Sequence, residues 1–450
     1  NKVDRSVTGK IARQQCQGEI QLPLSDCGVV ALDYRGKTGI ATALGHAPQA
    51  GLADPAAGSV LSVAESLTNI VWAPLTDGLE SVSLSANWMW PCRSQKGEDA
   101  RLYTAVKALS DFCCEIGVNV PTGKDSLSMS QQYPDGTKII APGTVIVSSG
   151  GEVSNVRGVV SPVMSTNEKT MLFHIDFSYD EHRLGGSALA QSLGYVGSDV
   201  PTVKNPVYFA DAFEAVQTLV KRGLLVAGHD ISAGGLITTL FEMTFANKQG
   251  GLYVDIDGIC DGNPVKTLFA ENPGVVVQIK ESDKQWFFDV MDEYEVQYAF
   301  IGRPTSKDRS MEIFNGEKKV AAFDINEMRA AWYETSYLLD RRQSFNGMAD
   351  ERVKNYAYQP LEFKFNADFT GKLEQYCFKE GARSGNGEPV AAIIREKGTN
   401  GEREMAYALY LAGFRVKDVM MTDLIAGRET LEDVQMIVFC GCFSNSDVLC

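Results

Sequence analysis

The sequence lacks features that mark several classes of protein. No apolar run approaches the roughly 20 residues that a membrane-spanning helix requires. Basic residues form no block, and 57 acidic against 42 basic side chains give a formal net charge of -15, which argues against a nucleic-acid-binding surface. The chain starts at Asn1 without a signal peptide. We therefore expect a cytoplasmic protein that binds neither membranes nor nucleic acid.

Motifs of several common enzyme classes are also missing. The four histidines form no pair at zinc-ligand spacing, and the ten cysteines form no paired C-x-x-C motif. There is no G-x-S-x-G nucleophile elbow, and no G-x-G-x-x-G follows a predicted strand. The sequence therefore gives no support to zinc, serine-hydrolase or dinucleotide-dependent chemistry.

The chain is long enough for about three domains, and its texture changes along its length. Residues 1–165 and 166–330 alternate apolar runs with small polar segments, and we assign each to one α/β domain. Residues 331–387 are more charged and less periodic, and we interpret them as a linker that contains a helix at WYETSYLLDRRQ. Residues 388–450 show a strand, a helix and two further strands, which is typical of the opening of a doubly wound parallel sheet.

Helical periodicity is clearest in two segments, Glu98–Ile116 and Val207–Arg222. In each, apolar side chains recur at three- and four-residue spacing, so we expect one face of each helix to be buried. The apolar positions are Leu102, Ala105, Val106, Leu109, Phe112 and Cys113 in the first segment, and Phe209, Phe213, Val216 and Leu219 in the second.

Glu65 and Asn69 lie four residues apart in VAESLTNI, so they project from the same face of a predicted helix. Two stacked oxygen-bearing side chains suit a hard cation such as Mg²⁺. A solvated helix face has the same spacing, and spacing alone favours that interpretation.

Two further acids adjoin apolar strands. Asp26 lies between two apolar runs in LPLSDCGVVAL, where it is either a turn residue or a metal ligand. Asp230 and Ser232 follow the predicted strand LLVAG and precede a glycine pair that opens a helix. In that position Asp230 can bind a cation, and Ser232 with the free helix N–H groups can bind a phosphate. Alternatively, one of the two caps the helix.

The segment PTGKDSLSM contains a predicted loop that resembles a phosphate loop only superficially. The Walker pattern requires a glycine five residues before Gly123, where this chain has Val118. Lys124 and Asp125 are therefore either nucleotide or substrate contacts or members of a loop salt bridge.

Several motifs together resemble one enzyme family. VDRSVTG, LPLSDCGVV, VAESLTNI, LSANWM, VPTGKDSLSM and HDISAGGL are similar, in this order, to the second half of the synthetase region of the large, glutaminase-fused phosphoribosylformylglycinamidine synthases. REKGTN and FCGCFSNSDVL resemble the start of their glutaminase domain. The resemblance implies an α/β (α+β) fold: an aminoimidazole-ribonucleotide-synthetase-like two-domain unit with a ferredoxin-like first domain, then a truncated doubly wound class I glutaminase segment.

The resemblance also implies an activity. Family members are ATP-dependent C–N ligases of purine biosynthesis with glutamine as nitrogen donor. They convert formylglycinamide ribonucleotide, ATP and glutamine to formylglycinamidine ribonucleotide, ADP, phosphate and glutamate. The implied cofactors are Mg²⁺ and ATP or ADP, and glutamine-derived ammonia is the attacking group. We expect both ends of the chain to be cuts inside a longer protein that carries an N-terminal synthetase half and the rest of the glutaminase, and we expect this part to be inactive alone.

Site residues follow by matching the motifs. The resemblance assigns metal ligands to Asp26, Glu65, Asn69 and Asp230, nucleotide contacts to Ser25 and Ser232, and a shared substrate cleft to Asn87, Lys124 and Asp125. It implies a bound ADP that is not turned over in this half of the synthetase. It assigns no catalytic residue here, because the glutaminase nucleophile and its His and Glu partners are expected beyond Cys450.

One departure from the family concerns the glutaminase segment. Relatives have two adjacent glycines where this chain has Gly441 and Cys442, in a loop that helps to form the oxyanion region. A side chain there either perturbs the loop or is tolerated.

Two other functions remain as alternatives. One is a self-sufficient kinase or selenophosphate-synthetase-like enzyme of the same superfamily, although the expected N-terminal acidic cluster is missing. The other is a non-catalytic half that binds a nucleotide as a scaffold. The nucleotide content of the purified chain is the observation that discriminates between these hypotheses.

Overall fold

A computed structural model of the 450-residue chain describes residues 9–33, 35–358, 364–370, 375 and 387–441. The chain divides into two compact units, the larger containing Lys10–Leu361 and the smaller Glu362–Cys450. Across the described ranges, no helix combines the length and apolar character needed to cross a membrane. The described part of the larger unit contains two large sheets, which together position the candidate site, and two small sheets of two strands each.

The first sheet of the larger unit has, in the described residues, six strands in the order β1-β4-β5-β10-β6-β7. Neighbours pair antiparallel except for the parallel pair β6 and β7. Buried and exposed residues alternate along β5, so the sheet packs on helices through one face. The six strands are β1 (Ile11–Arg13), β4 (Gly28–Ala31), β5 (Gly39–His46), β6 (Val82–Met89), β7 (Asn119–Ser126) and β10 (Thr144–Val153). Two separate two-stranded sheets consist of β2 (Cys16–Gln17) with β3 (Leu22–Pro23) and β8 (Ser130–Gln132) with β9 (Lys138–Ile140). The helices of this region are α1 (Pro48–Ala53), α2 (Pro55–Ile70) and α3 (Glu98–Glu115).

Helix α2, which carries Glu65 and Asn69, begins where its sequence favours the start of a helix. The Asp54 side chain accepts hydrogen bonds from the N–H groups of Ala56 and Ala57 at 2.9 and 3.1 Å. A proline occupies the first turn, where its missing N–H costs nothing. The predicted helical conformation of VAESLTNI is therefore confirmed.

Helix α3 confirms the helix predicted from Glu98, but its buried face is narrower than expected. Ala105, Leu109 and Phe112 are buried, whereas Val106 is 40% exposed. Val106 is rotated by about 100° from Ala105 around the helix, so it turns away from the core that Ala105 enters. The expectation that Val106 belongs to the buried stripe is wrong.

The second sheet of the larger unit has the strand order β12-β14-β11-β15-β13-β16-β17. Only β13 and β16 pair in parallel among these described strands. The strands are β11 (Thr170–Asp176), β12 (Leu225–Ile231), β13 (Gly251–Asp255), β14 (Gly274–Lys280), β15 (Tyr298–Thr305), β16 (Ser310–Asn315) and β17 (Lys318–Asp324), and the helices are α4 (Ala188–Ser192), α5 (Pro206–Lys221), α6 (Gly235–Phe245), α7 (Pro264–Phe269), α8 (Lys284–Glu293), α9 (Ile325–Gln343) and α10 (Met348–Asn355).

Helix α5 matches the second predicted helix. Phe209, Phe213, Val216 and Leu219 are all fully buried, as their spacing predicts. These residues belong to one core cluster that also contains residues of the first sheet, so α5 packs against both parts of the larger unit.

The segment interpreted as a linker, 331–387, is helical in its first part. Helix α9 begins at Ile325 because Asp324 caps it, and α10 follows. Buried Arg329 donates a hydrogen bond to the Phe245 carbonyl at 3.0 Å, so α9 packs against α6. The apolar period is weak because α9 buries few of its residues. The Gly/Ser-rich stretch at 381–386 lies outside the described residues.

The elements of the smaller unit are β18 (Val390–Arg395), α11 (Glu402–Ala412), β19 (Arg415–Met420), α12 (Met421–Ile425) and β20 (Met436–Phe439). The three strands form a parallel sheet, as predicted, in the order β19-β18-β20. Helix α12 was not predicted. Cys442, where relatives have glycine, lies outside the described residues.

Candidate functional site

Two carboxylates and an imidazole form the centre of the candidate site. Asp26 lies in the loop between β3 and β4, whereas His229 and Asp230 lie near the end of β12. His229 Nδ1 is 2.8 Å from Asp26 Oδ1 and 3.4 Å from Asp230 Oδ1. Ligand atoms of the three residues all lie within 4.8 Å of one another. Asp230 was expected to follow the strand, but β12 continues to Ile231 and so holds Asp230 rigidly.

One oxygen of each carboxylate is unsatisfied. Asp26 Oδ2 and Asp230 Oδ2 are buried and have no hydrogen-bond partner among the described residues. Buried polar atoms in proteins normally have partners, and a buried negative charge requires a nearby positive one. A hard cation coordinated by carboxylate oxygens would satisfy both atoms, so these residues fit Mg²⁺.

The buried ionisable groups of this centre shift one another's pKa. Burial raises the pKa of Asp26, while the His229 charge opposes the rise. Burial and the Asp26 charge raise the pKa of Asp230 well above its usual range. Burial alone would lower the pKa of His229, but Asp26, Glu242 and Asp230 outweigh it and raise this pKa well above its ordinary value. The imidazolium therefore supplies part of the positive charge that the carboxylates require.

A cavity of about 850 Å³ adjoins this centre and is lined by four predicted site residues, Ser25, Asp26, Asn69 and Asp230. Asn69 Nδ2 donates a hydrogen bond to the Leu44 carbonyl at 3.0 Å, which fixes the amide at the cavity wall. The Ser25 hydroxyl donates to the Cys27 carbonyl at 3.1 Å. Three of the four predicted metal ligands thus share one cavity.

Glu65 and Ser232 line a neighbouring cavity of about 120 Å³. Glu65 Oε2 accepts a hydrogen bond from the His46 backbone N–H at 2.5 Å. Burial raises the pKa of Glu65, and the Glu65 charge contributes to the raised pKa of Asp230. Glu65 is therefore within electrostatic reach of the Asp26–Asp230 centre.

A carboxylate that was not predicted occupies the start of α6. Glu271 Oε1 accepts hydrogen bonds from the backbone N–H groups of Ala188 and Gly234, both at 2.7 Å. The start of a helix favours an anion, and Glu271 supplies one internally. The N–H of Gly234 is thus engaged in this structure, which limits the donors available to a phosphate beside Ser232.

Asn87, Lys124 and Asp125 lie on the neighbouring strands β6 and β7. The Gly-Lys-Asp-Ser segment is an exposed edge strand, β7, and not the predicted loop. Asn87 on β6 is the register partner of Lys124, so these two side chains are neighbours. None of these three described residues lines either of the two cavities. Their place in a substrate cleft stays a prediction.

Three family models match successive parts of the chain. An FGAR-AT PurM_N-like domain matches residues 1–152, and the C-terminal domain of AIR synthase related proteins matches residues 178–313. A CobB/CobQ-like glutamine amidotransferase domain matches residues 388–450. The order of these domains is the one that the sequence motifs indicated.

A curated relative is similar over the whole chain. The phosphoribosylformylglycinamidine synthase of Dictyostelium discoideum is 36% identical across 100% of this chain and 35% of its own length. The chain is related along its full length to the phosphoribosylformylglycinamidine synthases. It spans about a third of the length of the curated relatives that it matches.

Solved structures of T. maritima PurL share the fold of about two thirds of this chain. T. maritima PurL complexed with FGAR has a TM-score of 0.56 at 16% identity, over 68% of this chain and 48% of that one. T. maritima PurL complexed with ADP has a TM-score of 0.53 at 14% identity, over 73% and 48%. The mixed α/β prediction is therefore confirmed.

Motif matching to the synthases missed three residues of the site: His229, Glu242 and Glu271. His229 adjoins the predicted Asp230, so the dipeptide was a usable signal. Glu242 follows 13 residues later on α6, and its Oε2 lies 3.1 Å from His229 Nε2. No sequence spacing connects Glu271 to the other two, because Glu271 lies in the loop between α7 and β14 and reaches the start of α6 through the packing of α6 on α7.

Proposed function

We propose that the chain is part of an ATP-dependent ligase of purine biosynthesis. The ligase would convert formylglycinamide ribonucleotide to formylglycinamidine ribonucleotide with nitrogen taken from glutamine. The names of the full-length relatives support this activity, as do the PurL complexes with FGAR and ADP. The match of residues 388–450 to a glutamine amidotransferase domain supports glutamine as the nitrogen donor.

Within this part, we propose a magnesium–nucleotide site. The observation that carries the proposal is the pair of buried, unpartnered oxygens of Asp26 and Asp230, in the part of the chain that the structure describes. Asn69 and Glu65 would complete the metal ligands, and Ser25 and Ser232 would contact the nucleotide. When bound, Mg²⁺ would neutralise charge on the phosphate oxygens.

The cavity has room for such a ligand. Its volume of about 850 Å³ falls within the roughly 300–1,000 Å³ range of small-molecule sites. The residues themselves would act by position: Asp26 and Asp230 hold the cation, and His229 offsets the excess negative charge while no cation is bound. For Asn87, Lys124 and Asp125, we propose contact with the ribonucleotide substrate, supported by the adjacency of Asn87 and Lys124 across β6 and β7.

Titration calorimetry of the full chain with Mg–ADP tests the nucleotide site. Asp230→Asn keeps the shape of the side chain but removes a buried carboxylate, so we expect Mg–ADP affinity to fall at least about tenfold. Asp289→Asn makes the same change at an exposed position of α8 and should leave affinity unchanged. Equal affinities for the wild type and Asp230→Asn would reject the site.

A further inference from the structure

A series of side-chain contacts connects helix α9 to the candidate cation site. Trp332 Nε1 donates a hydrogen bond to Glu242 Oε1 at 2.8 Å. The other oxygen, Glu242 Oε2, lies 3.1 Å from His229 Nε2. His229 Nδ1 lies in turn 2.8 Å from Asp26 Oδ1. We call these four residues the Trp332–Asp26 network.

The side chains of the network have little conformational freedom. The Trp332 ring packs on Phe245, with ring centroids 5.6 Å apart, and so its N–H is aimed by the core. Glu242 uses one oxygen for Trp332 and the other for His229, which fixes the plane of the carboxylate. The His229 side chain is only 8% exposed, so water cannot easily replace either partner. Each member is thus oriented by the member before it.

The network ends at Asp26 and affects the orientation of its carboxylate. One of its oxygens, Oδ1, lies 2.8 Å from His229 Nδ1 in an ion pair that lacks the geometry of a hydrogen bond, and the other, Oδ2, is the buried oxygen without a partner among the described residues. A carboxylate with one oxygen held and one free presents a single, directed ligand atom. Without the imidazole, Asp26 would lose the ion pair that holds Oδ1 in its place.

We propose that Trp332, Glu242 and His229 are positioning residues that aim Asp26 Oδ2 at the bound cation. The inference rests on the proposed magnesium–nucleotide site and extends it to α9, a helix that lies largely in the segment expected to be a linker. Partners that orient metal ligands typically change metal affinity 10- to 100-fold when they are replaced. Trp332 acts at the far end of the network, so its effect should be smaller.

Trp332→Phe tests the network because it keeps an aromatic ring and removes the N–H donor. We expect Mg–ADP affinity to fall about 3- to 10-fold. We also expect the ring nitrogen signals of His229 to shift in ¹⁵N-histidine NMR spectra recorded without ligand. The chain has only four histidines, so a His229→Gln spectrum identifies the signals. Trp286→Phe, at a tryptophan that is 60% exposed, is the matched control and should change neither readout.

Glu242→Gln provides a second test should Trp332→Phe fold poorly. The amide keeps an acceptor for Trp332 but removes the negative charge beside His229, so both readouts should again change in the same direction. Unchanged His229 signals and unchanged affinity in a folded variant would overturn the network. A lower melting temperature with unchanged affinity would show a purely structural role and would also overturn it.

The two readouts separate this inference from the proposed function. The NMR signals report on His229 without any nucleotide or metal. A wild-type chain that binds no Mg–ADP would reject the proposed nucleotide site. A shift of the His229 signals in Trp332→Phe would then still support the positioning of His229 by α9.

Discussion

The side-chain oxygen of Gln217 accepts a hydrogen bond from the Leu75 backbone N–H at 3.0 Å, and this contact joins the two parts of the larger unit. The same amide donates from Nε2 to the carbonyls of Val71 and Ala73 at 2.6 and 2.9 Å. Gln217 is fully buried on α5, and its partners follow α2. One side chain thus satisfies three buried backbone groups that have no access to water.

Gln217→Leu should destabilise the larger unit by about 2–5 kcal/mol, because it leaves an N–H and two carbonyls buried without this partner. All five tryptophans lie between residues 72 and 332, so urea unfolding followed by tryptophan fluorescence reports on this unit alone. Gln285→Leu, on the exposed face of α8, should change stability by no more than about 0.5 kcal/mol. A similar small effect from Gln217→Leu would show that the three groups find other partners.

His174 should make the larger unit less stable in mild acid. Burial lowers the pKa of His174 to about 4, against the partial opposition of Asp176. The unfolded chain binds the proton near pH 6.5, whereas the folded chain does not until about pH 4. Between these values the unfolded state holds more protons, so stability falls as the pH falls from 6.5 towards 4, by at most about 3 kcal/mol.

Urea unfolding at several pH values checks this contribution as a difference between the wild type and His174→Gln. The difference removes the effect of the carboxylates with raised pKa, Asp26 and Asp230 among them, whose protonation changes stability in the opposite direction. We expect the variant to lose less stability on acidification than the wild type does. Parallel pH profiles for the two proteins would contradict the assignment.

Glu271 should compete with a phosphate for the start of α6. Its carboxylate occupies the N–H groups of Ala188 and Gly234, and its charge repels an anion. Glu271→Ala should therefore strengthen Mg–ADP binding severalfold in calorimetry, while it costs about 1–3 kcal/mol of stability through the lost hydrogen bonds. Glu317→Ala, at an exposed turn, is the control and should alter neither quantity. Unchanged or weaker binding in Glu271→Ala would place the phosphates away from this helix.

Elements with one buried face were predictable from the sequence. Helix α5 buries Phe209 and Phe213 on one side, and that one-sided burial produces the apolar period. Strand β7 was predicted as a loop because, as an exposed edge strand, it buries no side chain fully and so shows no alternation. The start of α9 was missed for a similar reason, since Ile325 and Arg329 are its only buried residues within the described chain.

Only those site residues that belong to recognisable sequence motifs were predictable. Asp26 and Asp230 come from separate motifs, and the structure brings both to one imidazole. That imidazole, His229, was missed although it adjoins Asp230, because its role depends on its contact with Asp26, about 200 positions earlier in the chain. Glu242 lies only 13 positions after His229, but its contact with Trp332 spans 90 positions, and no motif marks either residue. The expected domain bounds and the ligand roles themselves stay predictions.

Mg–ADP should raise the melting temperature of the larger unit, because a ligand that binds only the folded state stabilises it by mass action. At a free concentration 100 times its dissociation constant, the gain is about 2.7 kcal/mol. Fluorescence melting with Mg–ADP, with ADP plus EDTA, and with Mg²⁺ alone checks this, and we expect the full shift only with Mg–ADP. Asp26→Asn should lose most of the shift, since it removes one of the two unpartnered carboxylate oxygens. A full shift with ADP plus EDTA would instead mean that the nucleotide binds without a cation.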